Sequence, residues 1–397
     1  MFKKENTIEY LLGSKQPNTL PTKPFDSLVC EFLEMFSKKL DLIKNIKNYP
    51  DLKTLSFWCR KGNINSLKKK YFSEESRLGL GMIFHITPSN IPTNFAYSLI
   101  FGLLTGNSNV VKVPSNKFNE VDIICSVINL ILKNKKFRKI KDRILIFRYK
   151  NNDSLTREIS LKCDARIIWG GDKTINAIRK FELNERAREI TFSDRYSICV
   201  INLNKLPLND LSIYKKLALD FYNDTYLVDQ NACSSPHLII WYGKNNNEKK
   251  KRFWKNVLDV VKLKYDLSER LAIEKYYELC SQLSKSNNIK SEIRYENLIY
   301  TLNLKSLISD MDNFRGKGGF FYEFNTSKMN DVAKIVNKKY QTLTYFGFNK
   351  NFFRDFLFDN SLKGIDRIVP IGKALDIGLI WDGYDLNKFL TRIIDIK

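Results

Sequence analysis

From Leu78 onward, short β-branched runs alternate with longer amphipathic stretches, and few architectures accommodate that order. Residues 81–86 read as a strand, 94–104 as a helix, 109–113 as a strand and 120–132 as a helix. Residues 143–147 and 165–169 read as further strands, and 174–185 as a helix. This is the pattern of a parallel sheet joined by crossover helices. A strand at 197–201 leads into a second unit, with a helix at 214–222, a strand at 238–242 and two longer helices. Strands at 320–324 and 343–346 then flank a helix at 330–337. Gly, Pro and Asp punctuate 366–372 and 381–386, which suggests a chain passing back to another domain. The expectation is an α/β fold of two interleaved domains with Rossmann-like parallel sheets. Its parts are a helical N-terminal segment (1–77), a first α/β domain (78–205), a second (206–362) and a C-terminal return (363–397).

With 397 residues, 43% of them hydrophobic, the chain has enough apolar side chains for two cores. Its longest nearly apolar stretch, 95–104, is about half of the roughly 20 residues that a membrane-spanning helix needs. The N-terminal text lacks the apolar centre and cleavage site of a secretory signal, so a cytoplasmic location is expected. Seven cysteines without a CxxC pair argue against a disulfide framework. The only two histidines, His85 and His237, stand apart from other ligand-type residues, and no G-x-S-x-G occurs. A metal site and a Ser-His-Asp hydrolase are therefore not expected. The formal charge of +23 is spread along the chain in short clusters near expected helix ends and connections. That suits a solvated surface that attracts phosphorylated small molecules, rather than specific nucleic-acid binding.

Four segments carry possible chemistry. In Pro88-Ser89-Asn90-Ile91-Pro92, two prolines stiffen the loop after a strand. Asn90 is then either a preorganised donor for an oxyanion or a cap of the next helix. Lys112 and Ser115 end a strand, where ligands bind in open α/β sheets, and suit a ribose or phosphate. A surface lysine at a strand end is the plainer reading. Gly170 and Gly171 join a strand to a helix, so backbone can approach a pyrophosphate, with Asp172 or Thr174 as the alternative simple N-cap. Cys233 lies in the polar segment Asp229-Gln230-Asn231-Ala232-Cys233-Ser234-Ser235-Pro236, whereas Cys125 and Cys199 sit in apolar runs. It is either a nucleophile or a loop cysteine of no consequence.

In their shared order, these segments resemble the aldehyde dehydrogenase superfamily, and more closely its LuxC-type branch of acyl-CoA reductases. The superfamily's P-W-N-F-P loop is similar to residues 88–92, K-P-x-E to 112–115, G-S-T-x-x-G loosely to 170–174, and G-Q-x-C to 230–233. Branch-type phrases are Trp-Gly-Gly-Asp at 169–172, Phe192-Ser193-Asp194-Arg195-Tyr196-Ser197, the Cys233 segment, the stretch 340–347 and Trp381-Asp382-Gly383. The resemblance spans about residues 78–386.

It implies a nicotinamide cofactor-binding domain over 78–205, with Lys112, Ser115, Gly170 and Gly171 at the cofactor, and a catalytic domain over 206–362. Cys233 is the implied nucleophile and Asn90 the implied oxyanion donor. The implied reaction is NADPH-dependent reduction of an acyl-CoA to an aldehyde through an acyl-cysteine thioester. Alternatively the acyl group arrives from an acyl-protein synthetase, as in the bioluminescence-related fatty acid reductases. Oxidising relatives carry a water-activating glutamate where this chain has Thr191-Phe192-Ser193, which favours reduction; Glu189 is the nearest carboxylate that a shifted alignment would bring there. Ser115 replaces a glutamate that would repel a 2′-phosphate, so NADPH is expected over NADH. Asp312 and Glu323 both remain candidates for the ribose-binding carboxylate. The rival readings are an aldehyde dehydrogenase working oxidatively and a basic binding protein without turnover. The resemblance also implies a homo-oligomer, while acyl chain length is not legible.

Overall fold

The β-branched runs of the first half pair into one sheet in the computed structural model, which describes residues 8–71, 76–88, 91–150 and 152–397. The chain divides into two units, residues 1–193 with 379–397, and residues 194–378. The first unit holds β1 (Glu9–Gly13), β2 (Arg77–Gly79), β3 (Met82–Ile86), β4 (Ser108–Lys112), β5 (Ile144–Arg148), β6 (Ala165–Trp169) and β7 (Arg188–Phe192). Its main sheet has the order β1-β5-β4-β3-β6-β7, parallel throughout except that β1 runs antiparallel to β5. The chain steps outward from β3 to β5, then resumes on the other side of β3 with β6 and β7. The order therefore reverses between β3 and β6, where open α/β sheets form a crevice at their carboxyl ends. Every residue of β3, β5 and β6 is buried, as expected for parallel strands covered on both faces.

Helix Asn94–Leu104 is buried at every position except Tyr97, which explains its nearly unbroken apolar text. A polar network crosses this core. Trp169 Nε1 donates to Ser98 Oγ at 3.0 Å, and the Ser98 hydroxyl meets His85 Nδ1 at 2.7 Å. With Ser98 donating, the proton of His85 sits on Nε2, 2.9 Å from Asn109 Oδ1. Burial holds the pKa of His85 down to about 4, so the ring is neutral and structural. Gly102 makes room for this network, since a Cβ there would stand 1.7 Å from Asn109 Oδ1.

The second unit holds β8 (Tyr196–Asn202), β9 (Pro236–Tyr242), β10 (Ile289–Tyr295), β11 (Ile299–Leu304), β12 (Phe320–Thr326), β13 (Tyr340–Phe346) and β14 (Arg367–Pro370). The order is β10-β11-β12-β9-β8-β13-β14, parallel except at the β10/β11 hairpin. Side chains alternate between two apolar layers. Ile198, Val200, Leu238 and Ile240 join one, while Cys199, Ile201, Ile239 and Trp241 join the other.

The expected boundaries shift for reasons visible in the pairing. Because β8 is central to the second sheet, the first unit ends at Ser193 rather than at 205. Residues up to 378, including β14, stay with the second unit. Only the last stretch returns, as the β15 (Ile380–Trp381) and β16 (Tyr384–Asp385) ladder and as β17 (Thr391–Ile393), which pairs with β2. The N-terminal segment is not wholly helical, since β1 extends the first sheet. The helix expected at 174–185 is the shorter Asp172–Ile178, and Arg166 Nη1 captures the Phe181 carbonyl at 2.9 Å beyond its end.

Gly102→Ala tests the polar network. Alanine favours a helix by about 1 kcal/mol over glycine, yet the clash with Asn109 should win and lower stability by about 1–3 kcal/mol. Denaturant unfolding would measure it, and a stabilised variant would contradict the close approach.

Candidate active site

In the first unit the expected cofactor residues lie at the carboxyl ends of adjacent strands. Lys112 is the last residue of β4 and is half-buried, with Nζ 5.0 Å from the centre of the Tyr149 ring. Burial pushes its pKa below the ordinary lysine value, and an anion placed beside it would offset that desolvation. Ser115 is exposed three residues on, and its hydroxyl donates to the Tyr149 carbonyl at 3.2 Å while keeping a lone pair. Gly170 and Gly171 follow β6 on the far side of the switch point. Gly171 has φ −66° and ψ 166°, a backbone any residue adopts, and a Cβ there would meet nothing within 4 Å. The glycine therefore leaves open space beside the strand end, which suits close approach of a phosphate-bearing cofactor. Gly171 is itself the N-cap of the helix after β6 and no side chain caps it, so neither Asp172 nor Thr174 plays that part. Asn90 lies outside the described residues.

In the second unit Cys233 is half-buried in a turn at the amino end of β9. The helix before it, Leu211–Thr225, ends in a 3-10 turn over Tyr226–Val228. Asp229 and Gln230 then take left-handed conformations, φ 51° and 61°, which cost non-glycine residues about 1–2 kcal/mol each. Local hydrogen bonds offset that cost. The Gln230 N–H donates to the Thr225 carbonyl and the Asn231 N–H to the Val228 carbonyl, both at 2.8 Å. The Asp229 carbonyl accepts from the Gly318 N–H at 3.1 Å, and its carboxylate from the Tyr265 hydroxyl at 2.6 Å.

The side chains fix the turn further. The buried Gln230 amide donates to the carbonyls of Pro236 and Phe320 at 3.0 and 3.1 Å, and accepts from the N–H groups of Gly319 and Phe320. Both donors and both lone pairs of the carboxamide are engaged. Ser197 Oγ donates to the Cys233 carbonyl at 2.6 Å and accepts from the Thr342 N–H at 3.1 Å. Ser235 Oγ donates to the Asp224 carbonyl at 2.7 Å. The Asp224 carboxylate accepts from the Gly372 and Ala374 N–H groups, while burial lifts its pKa to about 7. Gln230, Ser197 and Asp224 were not expected as site residues. Gln230 carried a signal through its place three residues before Cys233, and Ser197 through the branch-type phrase 192–197; Asp224 carried none.

Three carboxylates in question have internal partners. Glu189 in β7 accepts from Arg166 at 2.9 and 2.5 Å and from Arg179 at 2.7 Å. Glu323 is buried behind two indoles, accepting from Trp241 and Trp254 at 2.8 and 2.6 Å, and burial raises its pKa. Asp312 is buried against Asn337 and Lys339 at 3.0 and 3.1 Å. Structural partners thus account for both of the candidate ribose-binding residues.

Comparison with known proteins agrees with the motif order. Residues 61–311 match the family described as acyl-CoA reductase (LuxC), a span that includes Asn90, Lys112, Ser115, Gly170, Gly171 and Cys233. The long-chain acyl-protein thioester reductase of Photorhabdus laumondii is 23% identical over 394 residues, covering 91% of this chain and 77% of the relative. Proline utilization A of Bradyrhizobium japonicum has the same fold over 94% of this chain, with a TM-score of 0.65 at 11% identity. The match covers 43% of that much longer protein. An NAD-dependent benzaldehyde dehydrogenase from Corynebacterium glutamicum superposes with a TM-score of 0.60 at 11% identity, over 94% of this chain and 85% of its own. The fold is that of the aldehyde dehydrogenases, and the chain belongs to the acyl-CoA reductase (LuxC) family.

Proposed function

We propose that this protein reduces an activated acyl group to an aldehyde with NADPH, through a thioester on Cys233. The observation that carries the reading is the contrast between Cys233 and the other cysteines. Cys59, Cys125, Cys163 and Cys199 are buried, and burial pushes the Cys125 and Cys163 thiols up to about 12. Cys30 is also raised by burial, and Cys280 lies on the outer face of a helix. Cys30 shares the partial exposure but lies in the helix Ser27–Asp41 with its thiol on the Phe25 carbonyl, whereas Cys233 sits in a polar turn whose backbone is held from neighbouring strands.

In this reading the Cys233 sulfur attacks the acyl carbonyl carbon, the carbonyl pair moves to oxygen, and the leaving thiolate or phosphate departs as the C=O re-forms. Asn90 and a backbone N–H near Cys233 stabilise the oxyanion. When bound, a nicotinamide cofactor would supply the hydride that reduces the thioester carbon, and Cys233 would leave as its thiolate when the C–S bond breaks to give the aldehyde. Lys112, Ser115, Gly170 and Gly171 hold the cofactor, and Ser115 tolerates a 2′-phosphate that a carboxylate would repel. The engagement of Glu189 by two arginines supports reduction, because that carboxylate is occupied rather than poised over a water molecule. The acyl donor is an acyl-CoA or an acyl group from a partner synthetase, the latter supported by the name of the Photorhabdus relative. No helix among the described residues is long and apolar enough to cross a membrane.

Three outcomes follow. Wild-type protein incubated with an acyl-CoA panel should gain a hydroxylamine-labile adduct by intact mass, absent in Cys233→Ala and discharged as aldehyde on adding NADPH. An adduct persisting in the alanine variant would sink the mechanism. Ser115→Glu should raise the NADPH dissociation constant at least about tenfold while sparing NADH; equal loss for both would contradict the cofactor choice. Glu189→Gln leaves a buried Arg166 charge uncompensated and should cost about 3–5 kcal/mol of stability without changing acyl-enzyme hydrolysis. A hydrolysis rate that falls with the variant would instead identify Glu189 as a base.

A further inference from the structure

The central strand β8 is flanked by two irregularities at one level. On one side Ser197 pairs with Pro236 and Ile198 with Leu238, so β9 advances two residues while β8 advances one. On the other side Tyr196 pairs with Tyr340 and Ile198 with Leu343, so β13 advances three residues while β8 advances two. Bulges of this kind interrupt ladder bonding and re-aim side chains, and they gather near active sites. Ser197 sits between them, fully buried, with its hydroxyl as the bridge: it donates to the Cys233 carbonyl at 2.6 Å and accepts from the Thr342 N–H at 3.1 Å. A hydroxyl both donates and accepts, so one oxygen satisfies two backbone groups that the bulges take out of register.

We infer that Ser197 is a positioning residue for the nucleophile, a role that rests on Cys233 being the reactive thiol. The peptide after Cys233 is trans and planar, so holding the Cys233 carbonyl turns the Ser234 N–H to the opposite side. Ser197 thereby sets two directions together, that of the Cys233 side chain and that of an amide N–H next to the reacting carbon. It touches neither substrate nor cofactor in this account, and its proton stays on oxygen throughout acylation. The bond that forms is Cys233 sulfur to acyl carbon, and the bond that breaks is acyl carbon to the donor's sulfur. Without the hydroxyl, the turn keeps its Gln230 anchors but loses the restraint on the carbonyl nearest the sulfur, and misplacement at this scale is paid in rate rather than in donor binding.

Single-turnover acylation by an acyl-CoA, followed by intact mass, tests this with Ser197→Ala, Ser197→Thr and Ser197→Val. Thr and Val have nearly the same shape, so their comparison isolates the hydroxyl even if the alanine variant does not fold. The expected result is a maximal acylation rate about 10–100-fold lower for Val than for Thr, with the half-saturating donor concentration changed less than about twofold. Equal rates for Thr and Val, at equal melting temperature, would overturn the inference. Alkylation of Cys233 by iodoacetamide across pH separates the two proposals. If wild-type protein takes no acyl group from any donor but alkylates faster with Thr than with Val, the proposed function fails and the positioning role stands.

Discussion

A single buried carboxamide, that of Gln230, ties together the three pieces of chain that make the reactive turn. Its four hydrogen bonds reach the first residue of β9, the first residue of β12 and the glycine before it. Each such bond is worth about 0.5–1.5 kcal/mol net, and the set is of the size needed to offset two consecutive left-handed residues. The same backbone is also held by the Gln230 and Asn231 N–H bonds to Thr225 and Val228, so side-chain and main-chain bonds act on one conformation. An apolar residue there would remove four hydrogen bonds to buried backbone groups, and any group left unpaired costs more than the bond it lost.

Buried charges extend the same arrangement. Lys275 is buried, with its ammonium donating to the Asn297 and Gly318 carbonyls and standing 4.7 Å from the Tyr300 ring centre. Burial lowers its pKa to about 8, so the carbonyls and the ring hold a charge that desolvation disfavours. Gly318 in turn donates to the Asp229 carbonyl, so the lysine and the turn share one residue, Gly318. The Asp224 carboxyl does the corresponding work on the other side, gathering two N–H groups of the 372–374 segment at the end of the helix that leads to Cys233. Ionic groups here organise backbone rather than one another.

How far the sequence carried this picture depends on whether a feature is local. Strands β3, β4, β5 and β6 were legible because their apolar runs are short and bounded by turn residues, and Cys233 because its neighbours are polar while Cys125 and Cys199 lie in apolar text. The β10/β11 hairpin was not legible, since β10 alternates charge with exposure at a sheet edge and resembles a loop. The unit boundary was missed because β8 reads the same whichever sheet it joins; pairing with β9 and β13 decides it. Asp312 and Glu323 looked like ligand carboxylates for a related reason, as nothing near Glu323 in sequence announces the indoles of Trp241 and Trp254. Motif order placed Gln230 and Ser197 in the text, but their partners in β12, in the Cys233 turn and in β13, 36 to 145 residues away, show what they do only in the fold.

The site of Cys233 separates two demands that a nucleophile places on a protein. The sulfur must be accessible to a bulky donor, so it cannot be deeply buried, while rate depends on holding it within a fraction of an ångström. Here the two demands fall on different atoms of one turn. Gln230, Ser234 and Ser235 are buried, and the Cys233 carbonyl is bound, yet the Cys233 residue keeps partial exposure. The restraint is applied to the backbone from inside the sheet, at the Cys233 carbonyl and through the Gln230 side chain. A cysteine within a strand, such as Cys199, has the rigidity without the access, and one on a helix surface, such as Cys280, has the access without the restraint. A turn at the amino end of a central strand, anchored through side chains on its neighbours, provides both.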